Sequence, residues 1–118
     1  MKIEGEAKLL RIFIGEADKV SHSPVYETIV TEARKNNLAG ATVYKGIMGY
    51  GGNSRIHSAK ILRLSEDLPL VVEIVDEEKK IEAFIPIVNK IFEDANCGGL
   101  ITIERAEIIK YTSTKNRI

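Results

Sequence analysis

Two amphipathic stretches, each set between short apolar runs, limit how this chain can fold more than any other feature. In residues 23–40 and 76–98, apolar side chains recur every three or four positions, which is the period of a helix that buries one side. Pro86 lies inside the second stretch, and the apolar positions continue beyond it. Its missing amide hydrogen therefore predicts a kink in a helix rather than an end.

Both amphipathic stretches begin and end with residues that favour helix ends. Ser23 can accept an amide hydrogen as an N-cap, and Pro24 fits the first helical position, where no hydrogen bond is lost. Asp76 is the predicted N-cap of the second helix. Gly40 and the pair Gly98-Gly99 predict the C-terminal ends, because glycine adopts the left-handed conformation that closes many helices.

Short apolar and β-branched segments predict five strands. They span residues 8–14, 41–44, 56–64, 68–75 and 100–111, the last with a bulge near Glu104 and Arg105. The order is β-α-β-β-α-β, with the long strand region before the second helix folded as a hairpin. This order predicts an α+β domain of the ferredoxin-like type, with two helices on one face of an antiparallel sheet. The length fits a single domain spanning residues 1–118, of which residues 112–118 are expected to form a loose tail.

Charge and cysteine content narrow the expected partners. Lys plus Arg and Asp plus Glu number 17 each, so the chain has no general attraction for nucleic acid or for an anionic membrane. The single cysteine, Cys97, suits a reducing compartment. Because no apolar run approaches the length of a signal-peptide core or of a membrane span, a cytoplasmic protein is expected.

The segment 46–55 is the most unusual part of the chain. Four of the nine glycines fall within seven residues there, and glycine lets backbone amides approach a ligand closely. Successive amides can form an anion-binding nest, and Arg55 could add a bidentate grip on phosphate. The segment lacks the Gly-Lys-Ser/Thr ending of a P-loop and the helix that follows a dinucleotide fingerprint. A flexible hairpin tip without a ligand is the alternative interpretation.

Metal binding and nucleophilic catalysis have little support in the sequence. His22, His57 and Cys97 are the soft metal ligands available, and they are not spaced as a ligand pair. The chain contains neither a Gly-x-Ser-x-Gly elbow nor a recognisable Cys–His pairing. We therefore expect no metal site and no catalytic residues, and we do not expect an enzyme.

From about residue 9 to residue 111, the order and spacing of several motifs resemble those of the PII-like signalling proteins, and an uncharacterised bacterial branch in particular. The matching motifs are Gly40-Ala41-Thr42-Val43-Tyr44, Gly49-Tyr50-Gly51, Leu68-Pro69 with the apolar run that follows, and Ala106-Glu107-Ile108-Ile109-Lys110-Tyr111. The resemblance implies a homotrimer with ligand clefts between neighbouring subunits. It also implies that an adenine nucleotide, ATP or ADP, binds where the loop after the Gly-aromatic-Gly turn meets the loop before the last strand.

The predicted ligand site combines two glycine clusters with basic side chains. The candidate ligand-binding residues are Gly49, Tyr50, Gly51, Gly52, Asn53 and Arg55 on one side, and Cys97, Gly98, Gly99, Arg105 and Lys110 on the other. The family's acid and lysine before the last strand are replaced in residues 96–99, which predicts weak affinity, on the order of micromolar or worse. No cofactor is expected to be required.

Four functions are compatible with this fold. The favoured one is a small-molecule sensor that acts through a partner protein. A protein–protein interaction module without a ligand is the first alternative. A small enzyme such as an acylphosphatase is less favoured, because residues 15–20 lack the arginine that its phosphate loop needs, and an RNA-binding domain would need aromatic residues in the strand at 56–64.

Overall fold

The computed structural model describes residues 5–51 and 68–114. Its strands and helices, in chain order, are β1 Gly5–Gly15, β2 Lys19–Val20, β3 Ser23–Pro24, α1 Val25–Lys35, β4 Thr42–Lys45, β5 Pro69–Asp76, α2 Glu78–Ala95 and β6 Leu100–Ile108. The strand predicted at 56–64 lies outside the described residues, as does the end of the tail.

Four of the strands form one antiparallel sheet in the order β4-β5-β1-β6. The central strand β1 pairs with β5 on one side and with β6 on the other, and β4 pairs with β5. The short strands β2 and β3 pair with each other. With α1 before β4 and α2 before β6, this arrangement confirms the predicted ferredoxin-like α+β fold.

The two helices cover one face of the sheet. Because side chains alternate along a strand, every second residue of β1 and β5 points towards the helices. We call this side the covered face; it consists of Leu10, Ile12, Ile14, Leu70, Val72 and Ile74, each at most 5% exposed. These side chains form a single core with residues of α1 and α2, among them Ile29 and Phe84.

The alternating residues between them form the opposite side of the sheet, which we call the open face. Its members around the middle of the described strands are Leu9, Arg11, Phe13, Thr42, Tyr44, Val71, Glu73, Val75, Leu100, Thr102 and Glu104. None of these eleven is fully buried, whereas Ala7, near the start of β1 on the same face, is 3% exposed. Within the described chain, neither helix packs on this side.

The predicted ends of α1 are wrong at both termini. Pro24 occupies the N-cap position without a side-chain hydrogen bond, because Ser23 pairs with Val20 in the small β2–β3 ladder. At the other end, Asn37 adopts a φ of 61° and the Leu38 amide donates to the Ala33 carbonyl at 3.0 Å. Asn37 therefore supplies the left-handed turn that Gly40 was expected to supply.

The ends of α2 are also displaced from their predicted positions. Glu77 is the N-cap, while the buried Asp76 carboxylate accepts the Glu77 amide at 2.7 Å and the Ala39 amide at 2.9 Å. Asn96, with a φ of 52°, ends the helix before the predicted Gly98-Gly99. The helix runs through Pro86 from residue 78 to residue 95, as predicted.

The last strand is shorter and more regular than expected. β6 ends at Ile108, and its pairing with β1 is unbroken from Gly5–Ile108 to Phe13–Leu100, so the predicted bulge at residues 104–105 is absent from this ladder. Beyond β6, the Tyr111 hydroxyl donates to the Ala39 carbonyl at 2.9 Å. This hydrogen bond joins the chain after one edge strand to the segment that precedes the other edge strand.

Candidate functional site

The glycine-rich turn that follows β4 encloses a proline of β5. The Gly46 amide donates to the Pro69 carbonyl at 2.7 Å. A Cβ built on Gly46 would lie 2.8 Å from Pro69 Cγ, and a Cβ built on Gly49 would lie 3.1 Å from the same atom. Gly49 also has a φ of +153°, a backbone angle that residues other than glycine rarely adopt. Packing and conformation are therefore sufficient reasons for both glycines.

The next residues of this turn are open to solvent. The Tyr50 side chain is 71% exposed, and a Cβ built on Gly51 would meet no atom within 4 Å. Packing against the described residues thus gives no reason for glycine at position 51, unlike positions 46 and 49. The predicted site residues Gly52, Asn53 and Arg55 lie outside the described residues.

The second predicted segment, Cys97 to Gly99, follows α2 closely. The Cys97 amide donates to the Phe92 carbonyl at 3.2 Å. A Cβ built on Gly99 would lie 2.6 Å from the Phe13 carbonyl oxygen and 2.7 Å from the Phe92 ring. Gly99 therefore allows β6 to begin against β1 and α2, with Gly98 as the link that precedes it.

The Cys97 thiol lies partly buried beside the core. Burial raises the pKa of Cys97, and the negative charge of Asp18 raises it further. A thiol with a raised pKa is a poor nucleophile at neutral pH, because little of it is thiolate. Cys97 is therefore suited to packing at this end of the molecule rather than to covalent chemistry.

The register of the sheet places both glycine segments at the same end of β1. Pro69, which the first turn encloses, pairs with Gly15, and Leu100, which follows Gly99, pairs with Phe13. The two predicted halves of the site therefore begin from neighbouring positions on one strand.

The two basic residues predicted for the site lie towards the other end of the sheet. Arg105 pairs with Lys8, seven residues from Gly15. At roughly 3.3 Å per residue this separation is about 23 Å. Lys110 follows Ile108, which pairs with Gly5 and is farther still. Within one chain, these cations do not converge on the glycine segments.

Two pockets lie near these basic residues, away from the glycine turns. One, of about 410 Å³, holds ion pairs between Lys8 and Glu78 at 3.3 Å and between Arg105 and Glu6 at 2.7 Å. Its cations are thus already paired with carboxylates. The other, of about 180 Å³, is lined by Ala39, Val75, Ile108, Lys110 and Tyr111.

An ion-pair cluster on the open face was not anticipated from the sequence. Arg11 donates from Nε to Glu73 at 2.8 Å and from Nη1 to Glu104. The hydrogen bond to Glu73, together with the charges of both carboxylates, raises the pKa of Arg11. The alternation of β1 and β5 carried the signal, because it places Arg11 and Glu73 among apolar neighbours on the side opposite the core.

In residues 5–51 and 68–114, no three histidine, cysteine or carboxylate side chains converge in a way that could hold a metal ion. His57 lies outside these ranges. Neither described helix is long and apolar enough to cross a membrane.

Sequence comparison identifies relatives over most of the chain. The model of the family DUF190, described as Uncharacterized ACR, matches residues 7–108. A UPF0166 protein of Aquifex aeolicus (strain VF5) is 40% identical over 102 residues, covering 86% of this chain and 92% of the relative. A UPF0166 protein of Methanocaldococcus jannaschii is 37% identical over 105 residues, covering 89% and 94%.

Solved structures with a similar fold are PII-like proteins. The apo form of CPII from Thiomonas intermedia K12, a nitrogen regulatory PII-like protein, gives a TM-score of 0.62 at 12% identity, covering 95% of this chain and 100% of CPII. CPII bound to ADP, AMP and bicarbonate gives 0.62 at 14% identity, covering 92% and 91%. A PII-like signalling protein from Thermus thermophilus gives 0.58 at 13% identity, covering 89% and 91%. The predicted resemblance is confirmed: the chain belongs to the DUF190 family, and its fold is that of the PII-like signalling proteins.

Proposed function

We propose that this protein is a PII-like sensor that binds an adenine nucleotide between the subunits of a homotrimer and acts through a partner protein. The observation that carries the proposal is the position of the exposed Tyr50 ring, and of a Gly51 where an added Cβ would meet no atom within 4 Å, at the end of β1 where Cys97 to Gly99 also lie. A structural neighbour with this fold, CPII, has been solved with ADP and AMP bound. The proposal assigns no catalytic residue.

The positive charge for the nucleotide would come from a second subunit. Along the sheet, Arg105 lies about 23 Å from the turn at Pro69 and about 20 Å from Gly99, at roughly 3.3 Å per residue, and Lys110 lies farther from both. A neighbouring copy could bring its own Arg105 or Lys110 to these turns, and this is our reason for placing the ligand between subunits.

The open face supports self-association. Tyr44, Val71, Phe13 and Leu100 lie side by side across the four strands, and Tyr44 and Leu100 are 53% and 54% exposed. Covering apolar area of this kind stabilises an assembly by about 25 cal/mol per Å² removed from water. Oligomers of identical chains commonly close with rotational symmetry.

An interaction module without a ligand is the second candidate. The side chains of Ile47 and Met48 are 95% and 84% exposed at the tip of the turn, where a partner protein could cover them. Both candidates share this contact surface, and they differ in whether a nucleotide binds beside it.

Calorimetric titration with ADP, AMP and ATP tests the ligand. We expect micromolar or weaker dissociation constants for the parent and loss of binding in Gly51→Val, where a β-branched side chain occupies the ligand's approach. Gly40→Val is the matched control, because a Cβ at Gly40 also meets no atom within 4 Å but lies away from the turn. Nucleotide binding to Gly51→Val as tight as to the parent would refute the site, and no binding by the parent at millimolar concentration would favour the interaction module.

Subunit mixing tests the intersubunit position of the site. Light scattering should give about three times the 13.1 kDa mass of one chain. Gly51→Val and Lys110→Ala chains should each bind nucleotide poorly alone. After unfolding and refolding together, they should recover part of the binding, because some clefts then combine an intact turn with an intact Lys110. A monomeric mass, or no recovery in confirmed mixed trimers, would contradict the proposed arrangement.

A further inference from the structure

We propose that Pro69 is a positioning residue that sets the conformation of the Tyr50–Gly51 segment through direct contact with Gly46 and Gly49. The Pro69 ring occupies the inner side of the turn made by residues 46–49. The part of the proposal that concerns ligand binding rests on the proposed function, whereas the contact itself is independent of it.

The turn approaches the Pro69 ring more closely than a side chain would permit. The space in which a Cβ of Gly46 would stand is 2.8 Å from Pro69 Cγ and 3.2 Å from the Pro69 carbonyl oxygen. The hydrogen bond from the Gly46 amide to that oxygen, at 2.7 Å, holds the backbone in this place. The turn is thus fitted to the shape of one ring.

Pro69 is itself fixed from the side of β1. The carbonyl of Leu68 accepts a hydrogen bond from the Glu16 amide at 2.9 Å, and the Glu16 carboxylate pairs with Lys45 Nζ at 3.0 Å. Lys45 is the last residue of β4, immediately before the turn. The end of β1, the end of β4 and the start of β5 therefore form one connected structure beneath residues 46–51.

This contact explains why apolar side chains at the turn point outward. Ile47 and Met48 are 95% and 84% exposed, although burying such side chains is normally favourable. The Pro69 ring already fills the space on the inner side, so both side chains face solvent. The same ring directs the chain as it leaves Gly49 for Tyr50 and Gly51.

A double-mutant cycle between positions 46 and 69 tests the contact. Gly46→Ala should overpack the turn and lower Tm by roughly 4 to 10 °C, because its Cβ would lie 2.8 Å from Pro69 Cγ. Pro69→Ala removes Cγ and Cδ, so adding Gly46→Ala to Pro69→Ala should lower Tm far less than it does in the parent. Gly49→Ala is the comparison: Pro69→Ala should rescue it only in part, because the contact at 3.1 Å with Pro69 Cγ would be relieved while the φ of +153° would stay strained for alanine.

Nucleotide affinity tests the positioning role, measured at a temperature where every variant is folded by circular dichroism. Gly46→Ala and Pro69→Ala should each weaken ADP binding by about tenfold, and the double variant should bind about as well as either single variant rather than about a hundredfold more weakly than the parent. Additive Tm changes at positions 46 and 69 would overturn the contact. Coupled Tm changes with equal ADP affinity in all variants would overturn the positioning role. A parent that binds no nucleotide would overturn the proposed function and the positioning role together, while the Tm cycle would still report the contact.

Discussion

The covered face and the open face of the sheet are made by alternate residues of the same strands, and they differ in burial and in charge. Leu10 is 0% exposed among residues of both helices, whereas its neighbour Leu9 is only partly buried on the other side. On the covered side the one buried charged residue, Asp76, is held by two backbone amides. On the open side Arg11 and two glutamates share ion pairs in the middle of apolar neighbours.

The difference in burial shows which face of the sheet is covered by the helices of the same chain. The helices remove the covered face from water, so its contribution to stability belongs to the monomer. Among residues 5–51 and 68–114, the open face retains exposed apolar area, and a second copy is the occupant that our proposed function requires. The predictions below separate these two contributions.

Adjacent leucines on opposite faces provide the strongest test. Leu10→Ala should lower the free energy of unfolding by about 3–4 kcal/mol, because it leaves a cavity in the core. Leu9→Ala, the same change one residue away, should lower it much less and should mainly weaken self-association. Chemical denaturation at several protein concentrations measures both effects. Equal losses that do not depend on concentration would contradict the distinction between the faces.

The start of β6 should be nearly as sensitive as the core. Gly99→Ala would place a Cβ 2.6 Å from the Phe13 carbonyl oxygen and 2.7 Å from the Phe92 ring, so something must shift. We expect a loss of about 2–3 kcal/mol, measured by denaturation, against a small change for Gly40→Ala. If Gly99→Ala were as stable as the parent and lost only nucleotide binding, the glycine would serve the ligand rather than the packing.

Two carboxylates of β5, Asp76 on the covered face and Glu73 on the open face, allow polar groups on the two faces to be compared. Asp76→Asn should cost about 1–2 kcal/mol, because an amide cannot accept both backbone hydrogen bonds as the carboxylate does. Glu73→Gln should cost less than about 1 kcal/mol, since the ion pair with Arg11 is partly solvated. Urea denaturation of the two variants at neutral pH gives the comparison. A larger loss for Glu73→Gln would show that the ion-pair cluster, rather than the buried carboxylate, stabilises the fold.

Cys97 is expected to give the smallest effect, and its reactivity measures how well the edge of the core is packed. Because burial raises its pKa above the ordinary thiol value of 9.0, less thiolate is present at pH 8 than in a free cysteine. Alkylation by iodoacetamide should therefore be several-fold slower than for the unfolded chain at pH 8. The alkylation rate should keep rising with pH until the pH passes the folded-state pKa of Cys97, which lies above 9.0. The same shift removes stability as pH rises through the folded-state pKa, since the unfolded chain then holds fewer protons.

A labelling rate at pH 8 that matched the unfolded chain would contradict this description of Cys97. Asp18→Asn is the matched variant, because the charge of Asp18 contributes to the shift after burial does. It should speed alkylation slightly and leave most of the protection in place.

The fold was largely predictable because its signals are local. The helical period in residues 23–40 and 76–98, the order of the strands and the motifs around Gly49 and Leu68 led to the ferredoxin-like arrangement and to the PII-like family. The helix ends were not predictable in the same way. Ser23 has the chemistry of an N-cap, but it pairs with Val20, and Asn37 and Asn96 ended helices that glycines were expected to end.

Only part of the candidate site was predictable. Cys97 to Gly99 and Gly49 to Gly51 lie at one end of the sheet, which their places next to β6 and β4 suggested. Arg105 and Lys110 lie at the other end, because the antiparallel register of β6 carries them away from Gly99. The sequence contains no signal for that distance, since it depends on where the partner strand begins.

The sequence by itself determined the alternation that gives the sheet two unlike faces, the two amphipathic helices and the family. The tertiary structure alone decided which glycines the packing requires. A proline ring and a carbonyl oxygen both exclude a Cβ, yet glycine at positions 46, 51 and 99 looks identical along the chain. Pro69 lies beside Gly46, the Phe13 carbonyl lies beside Gly99, and a Cβ at Gly51 would meet no atom within 4 Å. These are contacts between residues far apart in sequence, and folding is what brings them together.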